Sequence, residues 1–287
     1  ADTNYVYVLA AKASDSGFLG VYRSTNSGAS FTTQSTTPNL LGWLSAGTDA
    51  GGQGWYDLAF DVSPTDKDYV VSGGVNIWRS QNGGTSWTLN AHWTGSGAPY
   101  VHADQHMIRF LPGSGTTYYA ACDGGLFRTI NSGSSWTNLS NGLQTAQMYR
   151  LGGSATNQNL VMQGWQDNGT SQWNAGAWNR ILGGDGMECF IDYSNQAYRY
   201  GEQYNGDFNR SSTNGSSWTN ITSGITEGSA LVTPWVMDPQ DSVTLYAGCV
   251  NMFKSTNRGT LWSPISNFSV TAQIVQFAVC EQNTNYI

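Results

Sequence analysis

One motif constrains this chain more than any other: an aromatic strand end, then Arg or Lys, then Ser/Thr-x-Asn-x-Gly-x-Ser-Trp. It appears as Tyr22-Arg23-Ser24-Thr25-Asn26-Ser27-Gly28-Ala29-Ser30-Phe31 and again as Trp78-Arg79-Ser80-Gln81-Asn82-Gly83-Gly84-Thr85-Ser86-Trp87. A third copy is Phe127-Arg128-Thr129-Ile130-Asn131-Ser132-Gly133-Ser134-Ser135-Trp136. Looser copies run from Arg210 through Thr213, Asn214 and Gly215 to Trp218, and from Phe253 through Asn257 and Gly259 to Trp262. Asn and Gly accept the positive φ of a tight turn, and Asn or Ser side chains bond back to the turn's own backbone. Each copy therefore predicts a hairpin whose closing aromatic packs between neighbouring sheets.

The closing aromatics fall at 31, 87, 136, 218 and 262, leaving gaps of 56, 49, 82 and 44 residues. The long gap is about two units, and Trp178 divides it into 42 and 40. Strand-rich units at this period predict an all-β fold, a β-propeller of four-stranded blades. Six blade units are visible, and a longer parent chain would hold seven or eight. The first unit lacks an opening strand, while Ala272 to Cys280 reads as an opening strand with little after it. The expectation is a single propeller domain over 1–287, a fragment of a longer secreted protein.

Composition narrows the partners. Charged residues are only 11% of the chain, the net charge is −7, and Lys12, Lys67 and Lys254 are its three lysines. Nucleic-acid backbones and anionic membranes both need clustered positive charge, so neither is an expected partner. Cys122, Cys189, Cys249 and Cys280 sit in apolar strand-like runs at spacings that suit neither zinc nor a redox pair. Buried free thiols are expected.

At its turns the sequence resembles the Asp-box (BNR-repeat) propellers, a superfamily that includes sialidases, xyloglucan-degrading hydrolases and sortilin-like receptors. The box normally carries Asp at its third position, where this chain has Asn26, Asn82, Asn131, Thr213 and Asn257. A closer resemblance spans roughly residues 50 to 265. It rests on Gly52-Gln53-Gly54-Trp55-Tyr56-Asp57, His102-Ala103-Asp104-Gln105-His106, Asp123-Gly124-Gly125, Asn141-Gly142-Leu143, Gln166-Asp167-Asn168-Gly169-Thr170 and Gly183-Gly184-Asp185-Gly186. Together these are similar to large propeller proteins exported by bacteria through the type IX secretion system. That resemblance implies an extracellular or cell-surface location and other domains in the parent chain.

Ionisable groups are scarce, yet four motifs at or before opening strands gather them: Trp55-Tyr56-Asp57, His102 to His106, Gln147-Met148-Tyr149-Arg150 and Asp185-Gly186-Met187-Glu188. In a strand, alternate residues share a face, so His102, Asp104 and His106 are expected to point together. They form either a divalent-metal half-site or a hydrogen-bonded polar plug. No other cofactor is expected. Asp57, Asp104, His106 and Asp185 are expected to converge. The resemblance to xyloglucanase-like propellers implies Asp57 as a catalytic carboxylate, with Asp185 or Asp104 as its partner in an inverting hydrolysis.

Asp123-Gly124-Gly125 and the segment around Asp167 read first as turn chemistry. Trp43, Trp55 and Trp93 are candidate sugar-stacking platforms, with Asp104, Gln147, Arg150 and Asp167 as polar ligand contacts. Trp43 and Trp93 lie in the long insertions Gln34 to Gly54 and Asn90 to Pro99. The first expectation is thus a secreted binding module for a glycan or an extracellular protein. A glycoside hydrolase and a structural segment of a large surface protein are the alternatives.

Overall fold

The computed structural model describes residues 2–143, 146–174 and 176–287. The chain is all-β and falls into two compact units, Ala1–Gln144 and Thr145–Ile287, each with three antiparallel sheets of the propeller-blade type.

In the first unit, β1 (Val6–Ala11), β2 (Phe18–Ser24) and β3 (Thr32–Ser35) form a three-stranded sheet. The next holds β4 (Ala59–Val62), β5 (Val70–Gly73), β6 (Ile77–Ser80) and β7 (Thr88–Ala91). The third holds β8 (Gln105–Phe110), β9 (Tyr118–Cys122), β10 (Gly125–Thr129) and β11 (Thr137–Asn138). In the second unit, β12 (Met148–Gly153), β13 (Leu160–Trp165), β14 (Gly169–Asn174) and β15 (Ala177–Leu182) come first. They are followed by β16 (Cys189–Ile191), β17 (Arg199–Glu202), β18 (Phe208–Ser211) and β19 (Thr219–Asn220). The last sheet is β20 (Trp235–Met237), β21 (Leu245–Gly248), β22 (Met252–Ser255) and β23 (Ser263–Pro264). Every sheet is an up-and-down meander, so sequence neighbours pair.

Five copies of the box form one and the same polar knot. The hydroxyl of Ser24, Ser80, Thr129, Ser211 or Ser255 accepts the amides two and four residues on. The Oδ1 of Asn26, Asn82, Asn131 and Asn257 accepts an amide four residues on, at 2.9–3.0 Å, and Thr213 Oγ1 does the same at 3.0 Å. In three copies the Asn Nδ2 also donates to a serine hydroxyl. One acceptor oxygen is all this turn requires, and a neutral amide or hydroxyl supplies it. Two consecutive residues take positive φ in every copy, and the second is always glycine, Gly28 at 89° for example.

Trp87, Trp136, Trp218 and Trp262 pack into the sheet cores as expected. Two aromatics differ. Phe31 is 43% exposed. Trp178 is 40% exposed and is not a plug: β14 and β15 pair directly from Asn174↔Ala177, and Trp178 lies cross-strand from Trp173. The tail also departs from expectation, since Ala272 to Cys280 forms no strand. Its Ile274 amide donates to Cys249 O at 2.7 Å, and the Ile274 side chain covers Gly248, but no ladder follows. The four cysteines are free thiols, Cys189 and Cys249 buried.

Candidate functional site

The first unit gathers an acidic and aromatic cluster where the chain enters β4 and β8. Gln53 O accepts the amides of Tyr56 and Asp57, a tight turn that presents three successive side chains differently. Trp55 is 77% exposed, while Tyr56 is stacked obliquely against it with ring centroids 5.4 Å apart. Asp57 is wholly buried, and neither of its oxygens has an ordinary hydrogen-bond donor.

The entry to β8 is distorted rather than extended. Asp104 has φ of 63°, so the strand begins only at Gln105, and a bulge between Gln105 and Met107 leaves His106 without a ladder partner. The expected alternation of His102, Asp104 and His106 on one strand face is therefore not what forms, because a left-handed residue and a bulge interrupt the period of two. The bulge instead aims His106 Nε2 at Asp123 Oδ1, 2.6 Å away. Asp123 Oδ2 accepts from Tyr56 Oη, also at 2.6 Å, and the His106 and Tyr56 rings meet edge to face at 4.9 Å. Gln53 Nε2 donates to Asp104 Oδ1 at 2.8 Å. His102 lies over Gly124, where any Cβ would stand 2.2 Å from its ring, so the glycine after Asp123 is required for the approach.

Electrostatics follow from this crowding. Burial first, and then the Asp104 charge, push the Asp57 carboxyl up to about 8. Asp104 is raised too, by burial and then by Asp123. The two carboxyls influence each other's protonation, so they titrate as a pair rather than singly.

The structure thus brings together Asp57, Asp104, His106 and Trp55 of the sequence candidates, with His102 beside Asp104. Asp123, Tyr56 and Gln53 complete the cluster. Sequence reasoning read Asp123 as turn chemistry; the signal available was the glycine pair behind it, which frees space for an approaching ring.

Trp43 and Trp93 form a separate half-exposed pair. Buried Asn76 joins their loops, its Nδ2 donating to Gly42 O and Trp43 O and its Oδ1 accepting from Trp93 N. Trp93 Nε1 in turn donates to Trp43 O at 3.2 Å.

The remaining candidates lie in the second unit. Asp185 Oδ1 accepts the Asp167 amide at 2.8 Å, stapling the β13–β14 turn. Arg150 Nε pairs with Glu188 at 3.1 Å, and Gln147 offers its carbonyl to the Gln166 amide.

No family model and no curated protein matches this chain. Solved structures do. A glycoside hydrolase family 74 enzyme from Niastella koreensis shares 14% identity and a TM-score of 0.35 over 97% of this chain and 59% of its own. The family 74 xyloglucanase of Xanthomonas campestris gives 17% and 0.34, over 91% and 45%. YCF48 bound to D1 peptide gives 12% and 0.34, over 92% and 86%. This chain spans about half the length of the two hydrolases, and at these identities the likeness concerns the β-propeller fold alone.

Proposed function

We propose that the chain is an extracellular glycan-binding module whose contact surface is the Trp55–Tyr56 step beside Asp104, Asp123 and His106. The observation that carries this is Trp55: a tryptophan 77% exposed, fixed by its neighbour's ring and bordered by carboxylates. The C–H face of a pyranose covers such a ring, and its hydroxyls find acceptors in the adjacent carboxylates. An anionic ligand is disfavoured there by the same carboxylates.

The test is calorimetric titration of neutral plant and bacterial polysaccharides, xyloglucan among them. Trp55→Ala should weaken binding at least about tenfold, roughly the 1.4 kcal/mol that one lost stacking contact costs. Trp43→Ala with Trp93→Ala should have the smaller effect. If the double variant abolishes binding and Trp55→Ala does not, the contact surface belongs to the insertions instead.

The hydrolytic alternative gains one observation, the raised Asp57 carboxyl. Against it, Asp57 is wholly buried, whereas the carboxyl pair of a glycosidase flanks the scissile bond. Reducing-end release from xyloglucan that disappears in Asp57→Asn would nonetheless establish hydrolysis over binding.

A further inference from the structure

Position by position, the residue paired with the box Ser/Thr is apolar: Val6, Val70, Tyr118 and Leu245 face Ser24, Ser80, Thr129 and Ser255. Leu160 holds the same place opposite Asn174. In β17 the residue is Arg199, opposite Ser211, and it is only 3% exposed. A guanidinium at a core position needs a reason.

Part of the reason lies in the preceding sheet. Elsewhere the box arginine reaches the next turn: Arg79 Nη1 donates to Ser132 O at 2.8 Å, and Arg210 Nη1 to Arg258 O at 2.7 Å. In β14 that place is taken by Trp173, which leaves the carbonyl of Asn214 without its usual donor. Arg199 Nη1 supplies it from within its own sheet, and also donates to Gln172 Oε1 at 2.5 Å. Those two bonds use one corner of the guanidinium. Nε is buried without a partner, and among the described residues no hydrogen bond uses Nη2. No carboxylate pairs with Arg199 among the described residues, so the charge is uncompensated. Burial alone acts on it, pulling its pKa down.

Arg199 lines a cavity of about 330 Å³ whose other walls include Asn157, Gln172, Asn174, Gln196 and Asn214. All of these lie in the second unit. Carboxamides donate and accept without adding charge, so they orient a ligand while the guanidinium supplies its counter-charge.

We propose that this cavity is a binding site for a small oxyanion, a carboxylate or sulfate such as an acidic sugar carries, held by Arg199 and read by the carboxamides around it. The volume accommodates one sugar ring. Burying an arginine without a carboxylate beside it carries a penalty that an anionic ligand removes, so occupancy is coupled to stability. The site is separate from the neutral-glycan surface proposed above and stands or falls independently of it.

Glucuronate and inorganic sulfate, each titrated calorimetrically into the whole chain, test this, with glucose as the neutral control. Binding of either anion at about millimolar affinity is expected, together with a rise in melting temperature and no response to glucose. Comparable binding of both anions identifies the bare oxyanion as the ligand, whereas preference for glucuronate adds the sugar hydroxyls. Arg199→Leu restores the apolar residue of the sister sheets and should lower anion affinity at least about tenfold. Asn174→Asp places a negative charge on the cavity wall without touching the Arg199–Asn214 bond, and should do the same. If neither anion binds, or if both variants bind as the parent does, Arg199 is a structural tie and the proposal fails.

Discussion

The sheet β16–β19 and the sheet β12–β15 have the same strand order but finish differently. In the former, Ser211 and Thr213 close a polar knot, the last strand is only Thr219–Asn220, and Trp218 turns into the core. In the latter there is no knot. β15 is six residues long and pairs with β14 from Asn174↔Ala177 to Thr170↔Leu182 with one bulge at Ile181, Trp173 and Trp178 meet across the strands at 5.7 Å, and Trp165 joins them at 5.6 Å. Ladder hydrogen bonds and an aromatic cross-strand cluster therefore do what side-chain-to-backbone bonds do elsewhere. The difference teaches that the box is a way of directing one aromatic inward. Where the hairpin is tight, the aromatic stays on the sheet face.

That contrast is most easily broken at the aromatics. Trp262 is 2% exposed and donates from Nε1 to Ile221 O at 2.6 Å. Trp262→Ala should cost about 3–5 kcal/mol in chemical denaturation, as large core truncations do. Trp178→Ala should cost less than about 1.5 kcal/mol, the value of an exposed aromatic pair. Equal losses would mean that both aromatics act as plugs.

The next effect separates the repeat from the acidic cluster. Asp57 is raised to about 8 and Glu202 to about 7, both chiefly by burial. A carboxyl whose native pKa lies above its unfolded value binds more protons when folded. Its contribution to stability is therefore full below about pH 4 and is lost as the pH rises through the native value. The melting temperature should fall between about pH 5 and 8. Asp57→Asn, uncharged and nearly isosteric, should flatten the upper part of that decline, leaving the part due to Glu202. An unchanged profile in Asp57→Asn would show that the Asp57 carboxyl is not the titrating group.

The sheets were legible in the sequence because four turns repeat the same Ser/Thr, Asn and Gly spacing and a fifth puts Thr213 in the Asn place, and turn chemistry is local. The acidic cluster was legible in part. Asp57, Asp104 and His106 stood out against a chain with few charges, but their geometry depends on a left-handed Asp104 and a bulge at His106, which alternation alone cannot foresee. Arg199 was missed for a different reason. Its oddity shows only when its register against Ser211 is known, and register is a property of paired strands rather than of one segment.

Smaller effects belong to the knot itself. Asn82 Oδ1 accepts from Ser86 N and Ser80 Oγ, and its Nδ2 donates to Ser86 Oγ. Asn82→Ala strands that amide and hydroxyl at an exposed turn, where water replaces part of the loss, so about 1–2 kcal/mol is expected.

Asn82→Asp, which puts a carboxylate at the third position of the box, should change stability least, and its sign should depend on salt. Oδ1 keeps the Ser86 amide, and the second oxygen can accept from the Ser86 hydroxyl once that hydroxyl reverses its role from acceptor to donor. Those bonds become charge-assisted, which favours the carboxylate. Opposing this, Asp68 borders the same turn: its carbonyl accepts the Gly83 amide, and its carboxylate lies 3.2 Å from where a Gly83 Cβ would stand. The chain as a whole carries −7, so a further negative charge meets repulsion. Lys67 and Arg23 already pair with Asp68 and neutralise much of its field. The balance should lie within about 0.5 kcal/mol of zero at physiological ionic strength, with repulsion showing at low salt and screened away near 1 M. Denaturation of both proteins across that salt range checks it. A variant more stable than the parent by over about 1 kcal/mol at every salt concentration would mean that the knot favours a charge, and that Asn is retained here for some other reason than the turn.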